Sequence, residues 1–145
     1  EPFLIEYNVR MGDPECQTIL PRLKTDFLDI VVATVNEDLK NINLEWFEDK
    51  SICVVLASKG YPDEFKNNSE IKGLKEIKLQ DNEYIFHAGT KVNNSKIYSN
   101  GGRVLNFVIK SDNLKIGRDK AISLINKLNW QNGYFRKDIG YKIIS

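Results

Sequence analysis

The sequence contains few of the residues that metal and redox sites most often use. Its 145 residues include two cysteines and one histidine. Cys16 and Cys53 are far apart, with no CxxC pair and no neighbouring histidine, which argues against a zinc site and favours reduced thiols in a cytosolic protein. His87 lies beside Phe86 in a predicted strand. That position favours a hydrogen-bonded structural role, and no Ser/His/Asp or Cys/His set can be assembled around it.

An excess of one charge and a long apolar run are also missing. The 21 basic and 20 acidic residues give a net charge of +1, and the lysines are scattered, which argues against a nucleic-acid partner. The longest apolar run, residues 52–57, is far too short to span a bilayer. No signal peptide is visible. We therefore expect a cytoplasmic protein that binds neither nucleic acid nor membrane.

An initiator methionine is missing too, and the sequence opens directly in a strand pattern. With 145 residues, 41% of them apolar and 28% charged, the chain is long enough for one domain with a core. A lone first strand has nothing to pair with. We expect the chain to be a fragment of a longer polypeptide, whose remainder is its partner.

Residues 3–10 alternate with a period of two, which predicts a strand with one apolar and one polar face. On the polar face, functional groups two residues apart lie about 7 Å from each other. A carboxylate and a carboxamide oxygen suit Mg²⁺ or Mn²⁺, and a guanidinium suits a carboxylate or phosphate oxygen. A solvated face without function is the alternative. The three polar groups belong to Glu6, Asn8 and Arg10.

The residues that follow predict two helices. Asp13 is a candidate N-cap and Pro14 a first helical residue, opening a helix that reaches Leu23 and is broken at Pro21. Asp13 has a second possible role, in which it holds Arg10 or orients a substrate amine. The next helix, capped by Thr25 or Asp26, carries apolar residues at helical spacing through residue 39 and is expected to pack in the core.

The remainder predicts a mostly antiparallel α+β domain with one packed helix. Strands are expected at 44–47, 52–58, 84–90 and 104–109, with a hairpin at 91–98 and a helix within 114–128. The strand at 52–58 is apolar on both faces, which predicts a central position. We expect the charged residues Arg136, Lys137 and Asp138 to form a surface ion-pair network rather than contact a ligand.

The turn at residues 100–103 is a candidate anion site. Gly101 and Gly102 allow the backbone to approach a ligand and direct N–H groups at it, and Arg103 adds a charged fork. The alternative is an ordinary glycine turn with a surface arginine.

Several separate stretches resemble one enzyme family in the same order. Residues 6–17, with the sequence Glu-Tyr-Asn-Val-Arg-Met-Gly-Asp-Pro-Glu-Cys-Gln, resemble the metal-binding end of the ATP-grasp domain in phosphoribosylamine–glycine ligases. Residues 60–62, 87–90, 100–104 and 135–140 resemble the same family's C-terminal region. The resemblance covers the whole chain but only the last third of the family's polypeptide. It implies the end of an ATP-grasp domain at 1–40 and a single-hybrid-like C-terminal domain at 41–145.

The resemblance implies an ATP-dependent ligase reaction of purine synthesis. ATP, glycine and 5-phosphoribosylamine would give ADP, phosphate and glycinamide ribonucleotide through glycyl phosphate. Such chemistry needs charge neutralisation and positioning more than covalent help from the protein. The fragment alone is expected to be inactive. Another ATP-grasp carboxylate–amine ligase and a non-catalytic single-hybrid-type binding module are the alternatives.

The resemblance also implies roles for individual residues. Glu6 and Asn8 match the family's Mg²⁺ or Mn²⁺ ligands, and Arg10 would position the carboxylate or phosphoryl group. Asp13 would engage an amine or orient Arg10. The turn of Gly101, Gly102 and Arg103 is expected to close on the ribose phosphate, an expectation that comes from its chemistry rather than from the family pattern.

Overall fold

A four-stranded antiparallel sheet forms the centre of the fold. The computed structural model describes residues 2–5, 7 and 9–144. Within them the sheet has the strand order β2-β5-β1-β6, and β3 and β4 form a separate hairpin. The strands are Lys50–Ser58 (β1), Glu83–His87 (β2), Thr90–Asn93 (β3), Lys96–Ser99 (β4), Arg103–Ser111 (β5) and Gly133–Tyr134 (β6).

The chain also contains helices, and the predicted mixture of helix and antiparallel strand is confirmed. Short 3₁₀ turns follow or link them at Leu20–Arg22, Leu39–Asn41 and Leu74–Glu76. No helix among the described residues combines the length and the apolar character needed to cross a bilayer. The α-helices are Glu15–Ile19 (α1), Phe27–Val35 (α2), Leu114–Ile125 (α3) and Tyr141–Ile144 (α4).

The two long strands β1 and β5 occupy the middle of the sheet, as the apolar sequence of β1 predicts. Val54 is paired with Phe107 and Leu56 with Leu105 in their antiparallel register. Phe107 and Leu105 are fully buried. Strands that are apolar on both faces require a cover on each face, and this sheet has one on either side.

Helix α3 covers one face of the sheet. The Asn113 carboxamide oxygen caps it by accepting from the N–H groups of Lys115, at 2.8 Å, and Ile116, at 3.2 Å. Ala121 and Leu124 are buried in the same apolar cluster as Phe107. The other face, which carries Asn106, is covered by α1.

The predicted strand at residues 3–10 is wrong. None of the described residues in that stretch belongs to a strand. The side chains expected to face a core are exposed, with Ile5 at 93% and Val9 at 98%. A strand needs a neighbour for its backbone N–H and C=O groups, and the described part of the sheet does not pair with this stretch. Glu6 and Asn8 lie outside the described residues.

The helix predicted at 15–23 is confirmed, including its break, but its cap is not. α1 passes into the 3₁₀ turn that contains Pro21. The N-cap residue is Pro14 and no side chain caps the helix, so the N-cap prediction for Asp13 is wrong. The Asp13 carboxylate is engaged by other side chains, described below.

The second helix begins where predicted, but it ends at Val35 instead of continuing through residue 39, and its environment differs from the prediction. The Asp26 carboxylate accepts from the N–H of Leu28 at 2.8 Å, as a capping residue should. The expected core packing is wrong, because most of the apolar face is exposed, Leu28 by 65% and Val35 by 78%. The hairpin at 91–98 is confirmed as β3 and β4. The strand predicted at 44–47 is reduced to an isolated bridge between Leu23 and Trp46.

Candidate functional site

Two candidate residues that are distant in the sequence meet beside α1. Asp13 precedes Pro14, the N-cap residue of the helix, and Arg103 is the first residue of β5. An Asp13 carboxylate oxygen, Oδ2, lies 3.2 Å from Arg103 Nη2. Because α1 packs across β1 and β5, the residue entering the helix is held over the start of β5.

Two carboxamides hold the other oxygen of the same carboxylate. Gln17 Nε2 donates to Asp13 Oδ1 at 2.9 Å, and Asn106 Nδ2 approaches it at 3.4 Å. Asn106 is fully buried. Among the described residues, the carboxamide oxygens of Gln17 and Asn106 are buried and have no hydrogen-bond partner. The carboxylate therefore has donors on both oxygens, and its direction is fixed from within the fold.

Gln17 and Asn106 belong to this cluster and were not among the candidate residues from the sequence. A signal for Asn106 exists, because it interrupts the apolar run of β5 and a polar residue inside a buried strand needs a partner. Gln17 lies one turn after Asp13, the spacing at which helical side chains meet. Neither signal identifies Asp13 as the hydrogen-bond partner without the structure.

The glycine turn is held firmly against β1. Ser58 donates through its hydroxyl to the carbonyl oxygen of Gly101 at 2.8 Å and through its N–H to that of Gly102 at 2.7 Å. A Cβ on Gly102 would lie 2.6 Å from Cε2 of Tyr61, and one on Gly101 would lie 3.2 Å from the Cα of Gly89. Close packing thus accounts for both glycines, and the turn places Arg103 beside Asp13.

A groove of about 580 Å³ opens beside this cluster, between α1 and β2. Asp13 and Gln17 line one side of it, and Tyr84 and Phe86 line the other. The two aromatic rings are stacked, with centroids 5.9 Å apart. His87 also lines the groove, and its Nδ1 lies 2.8 Å from Thr90 Oγ1, consistent with the expected hydrogen-bonded role. The groove combines an apolar wall with an anionic end.

Among the described residues, Arg10 forms no hydrogen bond or ion pair with this cluster. The Arg10 guanidinium is exposed and donates from Nη1 to the carbonyl oxygen of Met11 at 3.0 Å. Asp13 pairs with Arg103, so the expectation that Asp13 orients Arg10 is not met. The described residues contain no group of three or more histidine, cysteine, aspartate or glutamate side chains placed to hold a metal ion.

Two other groups noted in the sequence have ordinary surroundings. Arg136 and Asp138 form the expected exposed ion pair, Nη2 to Oδ2 at 3.0 Å, which lowers the pKa of the Asp138 carboxyl. Burial raises the pKa of the Cys53 thiol to about 12, although a hydrogen bond with Thr18 works in the opposite direction. A thiol in that state is a poor nucleophile at neutral pH.

Comparison with known proteins defines the class. Residues 51–142 match the model of the family described as phosphoribosylglycinamide synthetase, C domain. The chain belongs to this family.

Two relatives that the chain resembles are both named phosphoribosylamine–glycine ligase. The chain is 48% identical over 138 residues to a phosphoribosylamine–glycine ligase of Caldanaerobacter subterraneus, covering 95% of this chain and 32% of the relative. It is 44% identical over 142 residues to the ligase of Fusobacterium nucleatum, covering 97% and 33%. The crystal structure of the Thermotoga maritima ligase matches with a TM-score of 0.67 and 33% identity, covering 95% of this chain and 33% of that one. The chain thus spans about a third of the relatives it matches.

Proposed function

We propose that the chain is the C-terminal part of a cytoplasmic phosphoribosylamine–glycine ligase of de novo purine synthesis. The Asp13–Arg103 pair carries this proposal, because it joins two stretches that separately resemble the same family. Membership of the family and the names of the relatives support it. The substrates would be ATP, glycine and 5-phosphoribosylamine.

The proposed reaction proceeds in two displacements. A glycine carboxylate oxygen attacks the γ-phosphorus of ATP, the bond to the β-phosphate oxygen breaks, and ADP leaves. The amine nitrogen of 5-phosphoribosylamine then attacks the carbonyl carbon of glycyl phosphate. Phosphate leaves with the bonding electron pair, and the nitrogen loses a proton to give the amide. Both steps bring anions together, so cationic side chains that position them lower the barrier.

The described residues would contribute to binding at three points. Arg103, fixed by Asp13, offers a fork of N–H donors to the phosphate of 5-phosphoribosylamine. The groove beside Asp13 has an anionic end suited to an amine. Arg10, exposed and paired only to a backbone carbonyl among the described residues, is the proposed positioning group for the carboxylate or the transferred phosphoryl group.

Metal binding is proposed for Glu6 and Asn8. A carboxylate and a carboxamide oxygen are hard ligands of the kind that Mg²⁺ and Mn²⁺ prefer. The bound ion would neutralise charge on the ATP phosphates. Since the described residues contain no alternative carboxylate cluster, substitution of Glu6 is the appropriate test.

The remainder of the parent polypeptide is the proposed main partner. Residues 1–40 are assigned to the end of the ATP-grasp domain and 41–145 to the C-terminal domain. The exposed apolar face of α2 supports this assignment, since Leu28, Val32 and Val35 are 65%, 48% and 78% exposed. A helix with such a face is stable only when another element covers it.

Steady-state kinetics of the full-length protein test the proposal. Arg103→Gln should raise the KM for 5-phosphoribosylamine at least about tenfold with little change in the KM for glycine, because a charge-assisted hydrogen bond is lost. Arg136→Gln, which removes an exposed arginine from a local ion pair, is the matched control and should behave as wild type. Equal KM values for the two variants would contradict the role of Arg103.

Three further measurements test the metal ligand, the enzyme class and the need for the rest of the polypeptide. Glu6→Ala should abolish metal-dependent formation of glycyl phosphate, and wild-type turnover would exclude the proposed ligand. Product analysis with glycine and other amino acids as substrates separates this ligase from other ATP-grasp ligases. Ligase activity of residues 1–145 alone would contradict the proposal that the rest of the polypeptide is required.

A further inference from the structure

A second pocket, separate from the groove beside Asp13, lies where the 3₁₀ turn Leu20–Arg22 meets the start of β1. It has a volume of about 440 Å³ and is lined by Thr18, Ile19, Arg22, Trp46 and Ser51. Two polar atoms of this lining, Arg22 Nε and Ser51 Oγ, are buried without a hydrogen-bond partner among the described residues. Buried donors are normally satisfied, so two in one pocket indicate a missing acceptor.

Two basic residues lie at the pocket, Arg22 in its lining and Lys110 beside it. Lys110 is directly opposite Ser51 in the antiparallel register, and such pairs project from the same face of a sheet. Its side chain is nearly buried, and its Nζ lies 4.0 Å from the centre of the Phe47 ring. Arg22 reaches the same segment, donating from Nη2 to the Phe47 carbonyl oxygen at 3.3 Å.

No carboxylate balances these two cations within the described part of the chain. The ion pairs found there join other residues, and none includes Arg22 or Lys110. The Phe47 ring stabilises Lys110 only in part, because a cation over an aromatic face keeps its full charge. Both cations contact Phe47, Arg22 through the carbonyl oxygen and Lys110 through the ring, so an anion at this segment would have two positive partners.

We propose that this pocket binds a phosphate-like oxyanion between Arg22, Ser51 and Lys110. The guanidinium Nε and the serine hydroxyl supply hydrogen bonds, and the lysine ammonium supplies charge. The oxyanion is either free phosphate or the terminal group of a larger organic phosphate. Trp46, which is 41% exposed at the pocket wall, offers an apolar surface to the organic part of such a ligand. This site is independent of the proposed ligase reaction.

Calorimetric titration of the full-length protein with inorganic phosphate, and separately with phenyl phosphate, tests the site. Arg22→Gln and Lys110→Met should each weaken binding at least about tenfold, and Ser51→Ala should weaken it several-fold. Arg136→Gln, which removes an exposed arginine that does not line the pocket, is the charge-matched control and should leave this binding event unchanged.

The two probes distinguish the sources of the oxyanion. Binding of both with similar affinity assigns the pocket to free phosphate, and clearly tighter binding of phenyl phosphate assigns it to organic phosphates. Thermal unfolding in the same buffers gives an independent readout, because a ligand that binds the folded state raises the Tm of wild type and not of Arg22→Gln. Ser51→Ala removes one hydroxyl and keeps the result interpretable if a charge variant misfolds. Failure of both probes to bind, or equal binding by wild type and all three variants, would overturn the proposal.

Discussion

Asp13 and Arg103 form an ion pair of 3.2 Å that ties the start of α1 to the first residue of β5. The two side chains are 37% and 40% exposed, so water screens their attraction strongly. Exposed pairs of this kind contribute at most about 1 kcal/mol to stability. The contribution of the pair is geometric, because it fixes the position of the Arg103 guanidinium beside the groove.

A double-mutant cycle on this pair should therefore show weak coupling. We expect Asp13→Asn and Arg103→Gln to change the free energy of unfolding of the 145-residue chain non-additively by no more than about 1 kcal/mol. The coupling should fall as salt is added, because the pair is accessible to ions. Urea titrations at low and high ionic strength measure it. A coupling above about 2 kcal/mol would mean that the pair is structural rather than positional.

Substitution of Asn106 should destabilise the chain far more than substitution of Asp13, the residue that it supports. It is fully buried, and its Nδ2 lies 3.4 Å from Asp13 Oδ1. Asn106→Asp replaces this donor with a carboxylate facing a carboxylate, which should destabilise the chain by about 3 kcal/mol or more at pH 7. Urea unfolding of wild type and variant gives the difference.

The pH dependence of that variant separates charge from packing. Burial and the neighbouring carboxylate raise the folded-state pKa of the new carboxyl, so its neutral form is favoured in the folded protein. The stability deficit should be largest above that pKa and should shrink as pH falls through it. Asn106→Ala, which loses the amide without adding charge, should show no such recovery. A deficit that is equal at pH 7 and pH 5 would point to packing alone.

The sheet could be predicted from sequence because its signals are local. β1 carries a continuous apolar run, β5 carries one interrupted by Asn106, and α3 lies within the predicted range 114–128. Residues 3–10 and helix α2 misled the prediction for a shared reason. Both stretches have the apolar periodicity of a face that packs against another element. The periodicity does not identify that element, and in the described part of the chain the apolar side chains remain exposed. The exposed side chains of Ile5 and Val35 show the consequence.

The site was less predictable than the sheet. Its candidate residues Asp13 and Arg103 were identified separately, and the structure joins them. Asp13 has two typical functions after a turn, capping and ion pairing, and local sequence favours the first. The structure selects the second, because α1 lies across β5 and presents Arg103 and Asn106 as partners. Contacts between distant parts of a chain depend on packing, which no local pattern encodes.

Gly102 should resist any added side chain. A Cβ there would lie 2.6 Å from Cε2 of the Tyr61 ring, well inside van der Waals contact. Gly102→Ala should therefore destabilise the chain by about 1–3 kcal/mol, the usual cost of overpacking. Gly101→Ala is the matched control, because its nearest neighbour would be Gly89 Cα at 3.2 Å and a small shift relieves it. Thermal unfolding of both variants tests the order, and a Gly101→Ala variant that is less stable than Gly102→Ala would contradict it.

The two cysteines should differ sharply in reactivity. Burial raises the pKa of Cys53 from 9.0 to about 12, so at pH 8 only about one molecule in 10⁴ carries the thiolate that alkylating reagents attack. In a Cys16→Ser variant, iodoacetamide should modify the remaining thiol slowly in the folded chain and rapidly in concentrated urea. Mass spectrometry over time measures both rates. Equal rates in the two conditions would contradict the burial of Cys53, and Cys53→Ser provides the comparison for Cys16.

The Cys53 thiol makes the stability of the chain depend on pH in the alkaline range. The direction of this dependence follows from the sign of the pKa shift. A pKa raised in the folded state means that folding favours the protonated form. Below the ordinary pKa of 9.0 both states are protonated and the contribution is constant. Between that value and about 12 the unfolded chain ionises first, so stability is lost as pH rises. Urea midpoints for wild type should fall over this range more steeply than those for Cys53→Ser, which has no thiol to ionise there. Parallel curves would show that Cys53 titrates alike in both states.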